Sequence, residues 1–361
     1  MNINMLNFTV GPVMSSDEIL AVGAEQVPYF RTEEFSAVMR ENDELMKKFV
    51  NAPESSRSIF LTSSGTGGME AVVMNVLTRN DRVLVIDGGS FGHRFVQLLQ
   101  LHEIPFEAIH PEEGMPVSEA ALREYDGKGF TALVVNIHET SKGVLHDAMM
   151  LGEFCRRNGM VFIIDAISSF LADPLDMSAA GADVIITGSQ KVLACAPGIA
   201  LLVLSPRAVG RIMVSETKTM YFDLKDALKN AERGQTPFTP AVGILRQINA
   251  RLRQIERDGG VASEISKTRA QAVDFRKKIA GLPFEIPSSS MSNALTPLCP
   301  VNVSAYDLFI ELKDNYGIWV CPNGGELKDK LFRVGHFGAL SPADNDTLVA
   351  ALHDLHKKGR L

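Results

Sequence analysis

Short uninterrupted apolar runs recur through the first two thirds of the chain, separated by stretches of helical period. "RVLVID" (82–87), "ALVVNI" (132–137), "MVFIID" (160–165), "DVIITG" (183–188) and "IALLVL" (199–204) lack polar alternation. Runs of this length suit strands covered on both faces of a sheet. Between them, "FGHRFVQLLQLHE" (91–103) and "AMMLGEFCRRNG" (148–159) have the spacing of amphipathic helices. Strand and helix in alternation predict an α/β layered sandwich on a mainly parallel sheet.

The rhythm changes near residue 240. "PAVGILRQINARLRQIERDGG" reads as a long helix opened by Pro240 and closed by Gly259–Gly260. After it come another helix near 262–281, a weaker strand–helix–strand–helix run, and a last helix in "SPADNDTLVAALHDLHKKGR". The expected division is an N-terminal segment (1–15), a large domain (16–257) and a smaller C-terminal α+β domain (258–361). A length of 361 residues accords with two domains. "RGQTPFTPAVG" (233–243) reads as a structured connection between them.

Composition narrows the chemistry. The formal net charge is -7 and the basic runs are short, which argues against nucleic acid or an anionic membrane surface as partner. The longest apolar runs fall far short of a bilayer span, and "MNINMLNFTVGP" lacks the basic and apolar regions of a signal peptide. The expectation is a soluble, cytoplasmic protein. Cys155, Cys195, Cys299 and Cys321 follow no metal-ligand or CxxC spacing, so reduced thiols are expected and no metal. His353 and His356, spaced i, i+3, have no third ligand nearby in the sequence. Trp319, Cys195 and His138 read as core residues.

Three stretches could carry chemistry. In "LTSSGTGGMEAVVMNVL" (61–77) a Ser/Gly/Thr cluster precedes a helical run, which suits either a phosphate at a helix start or an ordinary N-cap. Asp165 ends the run "VFIID", where parallel sheets place ligands; it either meets a cationic group or caps the next turn. Lys191 follows "DVIITGSQ" at a second strand exit. An amine held among apolar neighbours is freed as a Schiff-base nucleophile, whereas a strand-end lysine can also snorkel to water. A phosphate cradle, a strand-end acid and a strand-end lysine together are what pyridoxal 5'-phosphate (PLP) calls for.

The order and spacing of "FTVGP" (8–12), "SSGTGGMEA" (63–71), "HETSKGVLHD" (138–147), "IIDAISSF" (163–170), "TGSQKVLACAPG" (187–198), "TPFTP" (236–240) and "FRVGHFG" (332–338) resemble the class V aminotransferases, PLP-dependent enzymes of fold type I. The resemblance covers most of the chain. It is strongest to the 2-aminoethylphosphonate–pyruvate and alanine/serine–glyoxylate branches. The fold it implies is a three-layer sandwich with a mainly parallel sheet plus the smaller domain. It also implies a homodimer with shared active sites. Lys191 would hold the cofactor covalently, and Asp165 would pair with its ring nitrogen. Ser64, Gly65, Thr66, Gln190 and, from a second copy, Thr239 would hold the phosphate. Phe91 and Ile167 would lie on the two ring faces, with Thr140 near the phenolic oxygen. Arg333 would grip a substrate carboxylate and Gly11 would line the same pocket. The activity implied is ping-pong transfer of an amino group from a small amino donor to a keto acid, pyruvate or glyoxylate. Among donors it leans to 2-aminoethylphosphonate over alanine or serine. A PLP-dependent lyase or desulfurase is the competing reading, with Cys321 as the nearest candidate thiol. Two features depart from the relatives. Lys142 replaces a small hydroxyl residue, and Tyr29 and Arg31 lie in a segment that could reach a neighbour's site.

Overall fold

The computed structural model describes residues 5–361. Each of the five apolar runs forms a strand: Val83–Ile86, Ala132–Asn136, Val161–Asp165, Val184–Gly188 and Ile199–Leu204. Two more, Arg57–Thr62 and Phe106–Ile109, complete a seven-stranded sheet. Its order runs Arg57–Thr62, Ile199–Leu204, Val184–Gly188, Val161–Asp165, Ala132–Asn136, Val83–Ile86, Phe106–Ile109. Only Ile199–Leu204 runs antiparallel to its neighbours.

Two separate apolar layers explain why these strands lack polar alternation. Leu133, Val135, Phe162, Ile164 and Ile185 face one side, with helices Glu33–Phe49, Ala148–Arg157 and Val242–Arg257 packed there. Ala132, Val134, Val161, Ile163, Val184 and Ile186 face the other, under helices Gly65–Val76, Gly92–Leu101 and Pro206–Val214. With both faces buried, the body of each central strand is apolar, and Asn136, Asp165 and Thr187 come only at or next to the carboxyl ends. The sheet directs the carboxyl ends of its parallel strands to one edge, where Ser63–Thr66, Asn136, Asp165 and Gln190–Lys191 emerge.

The C-terminal part is richer in strands than its sequence suggests. A five-stranded sheet runs in the order Leu6–Phe8, Ile318–Pro322, Phe332–Gly335, Leu295–Pro300, Phe284–Glu285. Helices Gly260–Lys278, Ala305–Tyr316 and Pro342–Lys357 belong to the same part, and an apolar cluster of Phe275, Leu308, Phe332 and Leu352 is its core. The strand Leu6–Phe8 pairs in parallel with Ile318–Val320, which ties the N-terminal segment to this sheet; residues 1–4 lie outside the described residues. The long helix starts at Val242, two residues after Pro240. Trp319 is not core: alternation along its strand turns it outward, edge-on to Phe309, while Ile318 and Val320 point in.

Candidate active site

Lys191 lies in the turn after Val184–Gly188, which local hydrogen bonds hold tightly. Ser189 Oγ donates to the Ala196 carbonyl at 2.7 Å, and the Cys195 N–H donates to the Ser189 carbonyl at 2.9 Å. Ala194 sits at φ +51°, a left-handed conformation unfavourable for a side chain with a Cβ, so strain is stored beside the lysine. The Lys191 amine donates to the Val10 carbonyl at 2.5 Å. A Cβ on Gly11 would come 2.6 Å from Lys191 Cδ, so only glycine lets the N-terminal segment lie against the lysine stem. Burial pulls the amine down to about 8, against a smaller opposing influence from Cys321.

Asp165 is buried at the end of its strand. Its carboxylate accepts from the Ile167 N–H at 2.9 Å and from Asn136 Nδ2 at 2.7 Å, and no cation pairs with it among the described residues. Burial raises it to about 6, although both hydrogen bonds oppose the shift. The folded chain therefore keeps the proton up to about pH 6, whereas an unburied aspartate releases it near 3.8. The sign follows: ionised Asp165 destabilises the cofactor-free fold, the penalty growing as pH rises through that window and standing in full above it. Asp165→Asn is expected to stabilise the cofactor-free protein at neutral pH by up to ~3 kcal/mol. Asn136 Oδ1 is buried without a partner, so a flip of that amide would accept from the new one. Urea unfolding at neutral pH and near pH 4 checks this; an equal gain at both would contradict it.

The helix Gly65–Val76 begins where a Ser/Gly/Thr cluster was expected. Ser64 occupies the N-cap position but its side chain makes no cap hydrogen bond, and the first turn has no acidic residue. Thr32, Ser118, Asp147, Ser205, Asp223 and Ser304 all cap their helices through the side chain. The ordinary-cap reading therefore does not describe Ser64. The uncapped N–H groups and the helix dipole leave a place for an anion. A Cβ on Gly65 would fall 2.4 Å from Ile167 Cδ1, so glycine here brings Ile167 against the helix start.

Phe91 is the N-cap residue of Gly92–Leu101, and the motif around it is fixed by a residue not singled out in the sequence. Glu139 is buried, accepting from the Gly92 N–H at 2.9 Å and from Ser141 Oγ at 2.5 Å. An acid buried three residues beyond a strand end, within "HETS", was the available signal. Thr140 and Ser168 hydroxyls lie 2.7 Å apart, and Ser168 shares a 2.9 Å hydrogen bond with His138 Nδ1. His138 is not a satisfied core residue, because Nε2 is buried with no partner. Burial first, then the nearby Lys191 charge, pulls His138 to about 3, so the ring is neutral.

Arg333 comes from the other sheet, on Phe332–Gly335, in register with Cys321 and Pro297. Its guanidinium donates to the Thr140 carbonyl at 3.2 Å and the Pro322 carbonyl at 2.8 Å; Nε is buried without a partner. No carboxylate pairs with this buried cation among the described residues. Cys195 is buried, which pushes its thiol up to about 12, as expected of a packing residue. The structure thus brings Lys191, Asp165, Arg333, Thr140, Gly11, Gly65 and Ile167 together. Gln190 adjoins them, with its side chain near Gly188. Thr239 does not join them: it is exposed on the segment that Arg31 clasps through the Thr236 and Pro237 carbonyls at 2.8 and 3.0 Å. Arg31 is thereby spent on backbone, Tyr29 is exposed, and Lys142 is half-buried with no acidic partner among the described residues.

Comparison with known proteins places the chain. Residues 24–320 match the family described as Aminotransferase class-V, and the chain belongs to that family. A soluble hydrogenase 42 kDa subunit of Anabaena cylindrica is 30% identical, covering 95% of this chain and 90% of that protein. An L-aspartate–glyoxylate aminotransferase of Paracoccus denitrificans is 26% identical over 93% and 87% of the two. The solved structure of an alanine–glyoxylate aminotransferase from Nostoc sp. superposes with a TM-score of 0.91 at 24% identity, covering 98% and 95% of the chains; that likeness establishes fold type I. Family membership implies dependence on PLP. No helix among the described residues is long and apolar enough to cross a membrane.

Proposed function

We propose that this chain is a PLP-dependent aminotransferase that moves an amino group from a small donor to pyruvate or glyoxylate by a ping-pong route. One observation carries the reading: Lys191, Asp165 and Arg333 gather at the carboxyl edge of the sheet, each without an ionic partner among the described residues. Unpaired charges in buried positions are costly unless a ligand completes them. The donor set suits this cofactor: an amine for an aldehyde, an acid for a ring nitrogen, an uncapped helix start for a phosphate. When bound, PLP supplies an aldehyde that captures amines and an electron-poor ring that eases loss of the α-proton.

The protein groups then divide the work. The Lys191 amine, held low by burial, would take the donor's α-proton and return it two atoms away, on the far side of the donor nitrogen. Asp165 would hold a positive charge at the ring nitrogen, and Arg333 would grip the substrate carboxylate through its fork. Ser64, Gly65, Thr66 and Gln190 would hold the phosphate, with Phe91 and Ile167 on the ring faces, Thr140 at the phenolic oxygen and Gly11 lining the carboxylate pocket. Thr239, exposed here, would serve the site of a second copy in a homodimer. The two-domain division near residue 258 belongs to the same reading, with the N-terminal strand assigned to the small domain. The desulfurase alternative is disfavoured by Cys321, which lies within the paired strand Ile318–Pro322 and not on a free loop.

The test is a donor panel of 2-aminoethylphosphonate, alanine, serine and aspartate, scored by the absorbance change from the aldehyde to the amine form of the cofactor. One donor is expected to convert a single equivalent and stop until pyruvate or glyoxylate is added. Continuous consumption of a donor without any keto acid would refute transamination.

A further inference from the structure

Arg94 has no role in the functional reading above, yet its guanidinium reaches into the same place. It lies in the first turn of the helix Gly92–Leu101, three residues after Phe91. It donates to Thr66 Oγ1 at 2.9 Å, and its carbon sits 4.6 Å from the Phe91 ring centre. Both partners are neutral, and no carboxylate pairs with Arg94 among the described residues. Its partner Thr66 stands in the first turn of Gly65–Val76, beside the uncapped helix start. Glu139, by holding the Phe91 and Gly92 N–H groups, sets the start of the helix that presents Arg94.

The other phosphate candidates are neutral. Ser64, Thr66, Gln190 and Thr239 offer hydrogen bonds, and the helix start offers only a partial charge of about +0.5. A phosphate of nearly two negative charges in a partly enclosed site calls for a full cation. Because Arg94 donates to Thr66 Oγ1, the Thr66 hydroxyl proton stays free to point at an anion and is polarised toward it.

We propose that Arg94, clasped to Thr66 and laid on Phe91, is the cationic member of the phosphate site and selects the phosphorylated over the unphosphorylated cofactor. The inference rests on the PLP reading above. It is tested by titrating cofactor-free wild type, Arg94→Gln and Arg94→Lys with PLP and, separately, with pyridoxal. Arg94→Gln is expected to raise the Kd for PLP tenfold or more and leave the Kd for pyridoxal within twofold, with Arg94→Lys recovering part of the loss. The PLP affinity of wild type should also fall with added salt more steeply than that of Arg94→Gln. Should Arg94→Gln fail to fold, Arg94→Met, which keeps an apolar stem beside Phe91 and removes the charge, should show the same selective loss. Equal weakening toward both compounds would make Arg94 a purely structural residue and overturn the proposal, as would no weakening. If wild type captures neither compound, the PLP reading itself falls; if wild type captures PLP and the variants do not discriminate, only the role of Arg94 falls.

Discussion

Lys191→Ala is expected to purify without the absorbance of lysine-bound cofactor and to lose transamination by at least ~10³-fold. Every other element of the site can bind or orient, but no second amine stands where Lys191 does to take up a proton. Borohydride reduction followed by peptide mass analysis separates the outcomes: the wild-type peptide "TGSQKVLACAPG" should gain the cofactor's mass at Lys191 and the variant peptide should not. A normal absorbance band in the variant would defeat the assignment. The wild-type amine adds a pH signature. Burial pulls it to about 8, so the neutral nucleophile is already present near neutrality. Capture of added PLP by cofactor-free protein should accelerate as pH rises toward 8 and level off above it.

The second large effect belongs to Arg333. Arg333→Gln should raise KM for the keto acid roughly 100-fold, the scale of a lost charge-assisted fork of ~3 kcal/mol, while cofactor affinity moves little. Lysine should not rescue it, because a single ammonium cannot reproduce two parallel bonds. Since Arg333 also ties the Thr140 and Pro322 carbonyls, urea unfolding of the variant belongs beside the kinetics. An unchanged KM would remove Arg333 from substrate binding.

The large sheet was readable because its central strands are buried on both sides, which forces continuous apolar runs. Phe106–Ile109 escaped notice for the converse reason: at the sheet's edge it is only four residues long and Glu107 interrupts it. The small sheet was harder still, because parallel pairing of Leu6–Phe8 with Ile318–Val320 joins distant stretches and leaves no local trace. In the site, Lys191, Asp165 and the Ser64–Thr66 turn stood out because each follows a recognisable strand. Glu139 and Arg94 did not, since their importance lies in which helix start each one faces. His138 was read as satisfied, and only coordinates reveal the orphaned ring nitrogen.

The pairing of Leu6–Phe8 bears on what keeps the site closed. Val10, whose carbonyl holds the Lys191 amine, follows a strand whose partner, Ile318–Val320, lies in the C-terminal part. The seven-stranded sheet has two apolar layers of its own, whereas the cover over the lysine depends on that distant pairing. The cover over the amine thus rests on a contact of long sequence separation that the large sheet does not need for its own core.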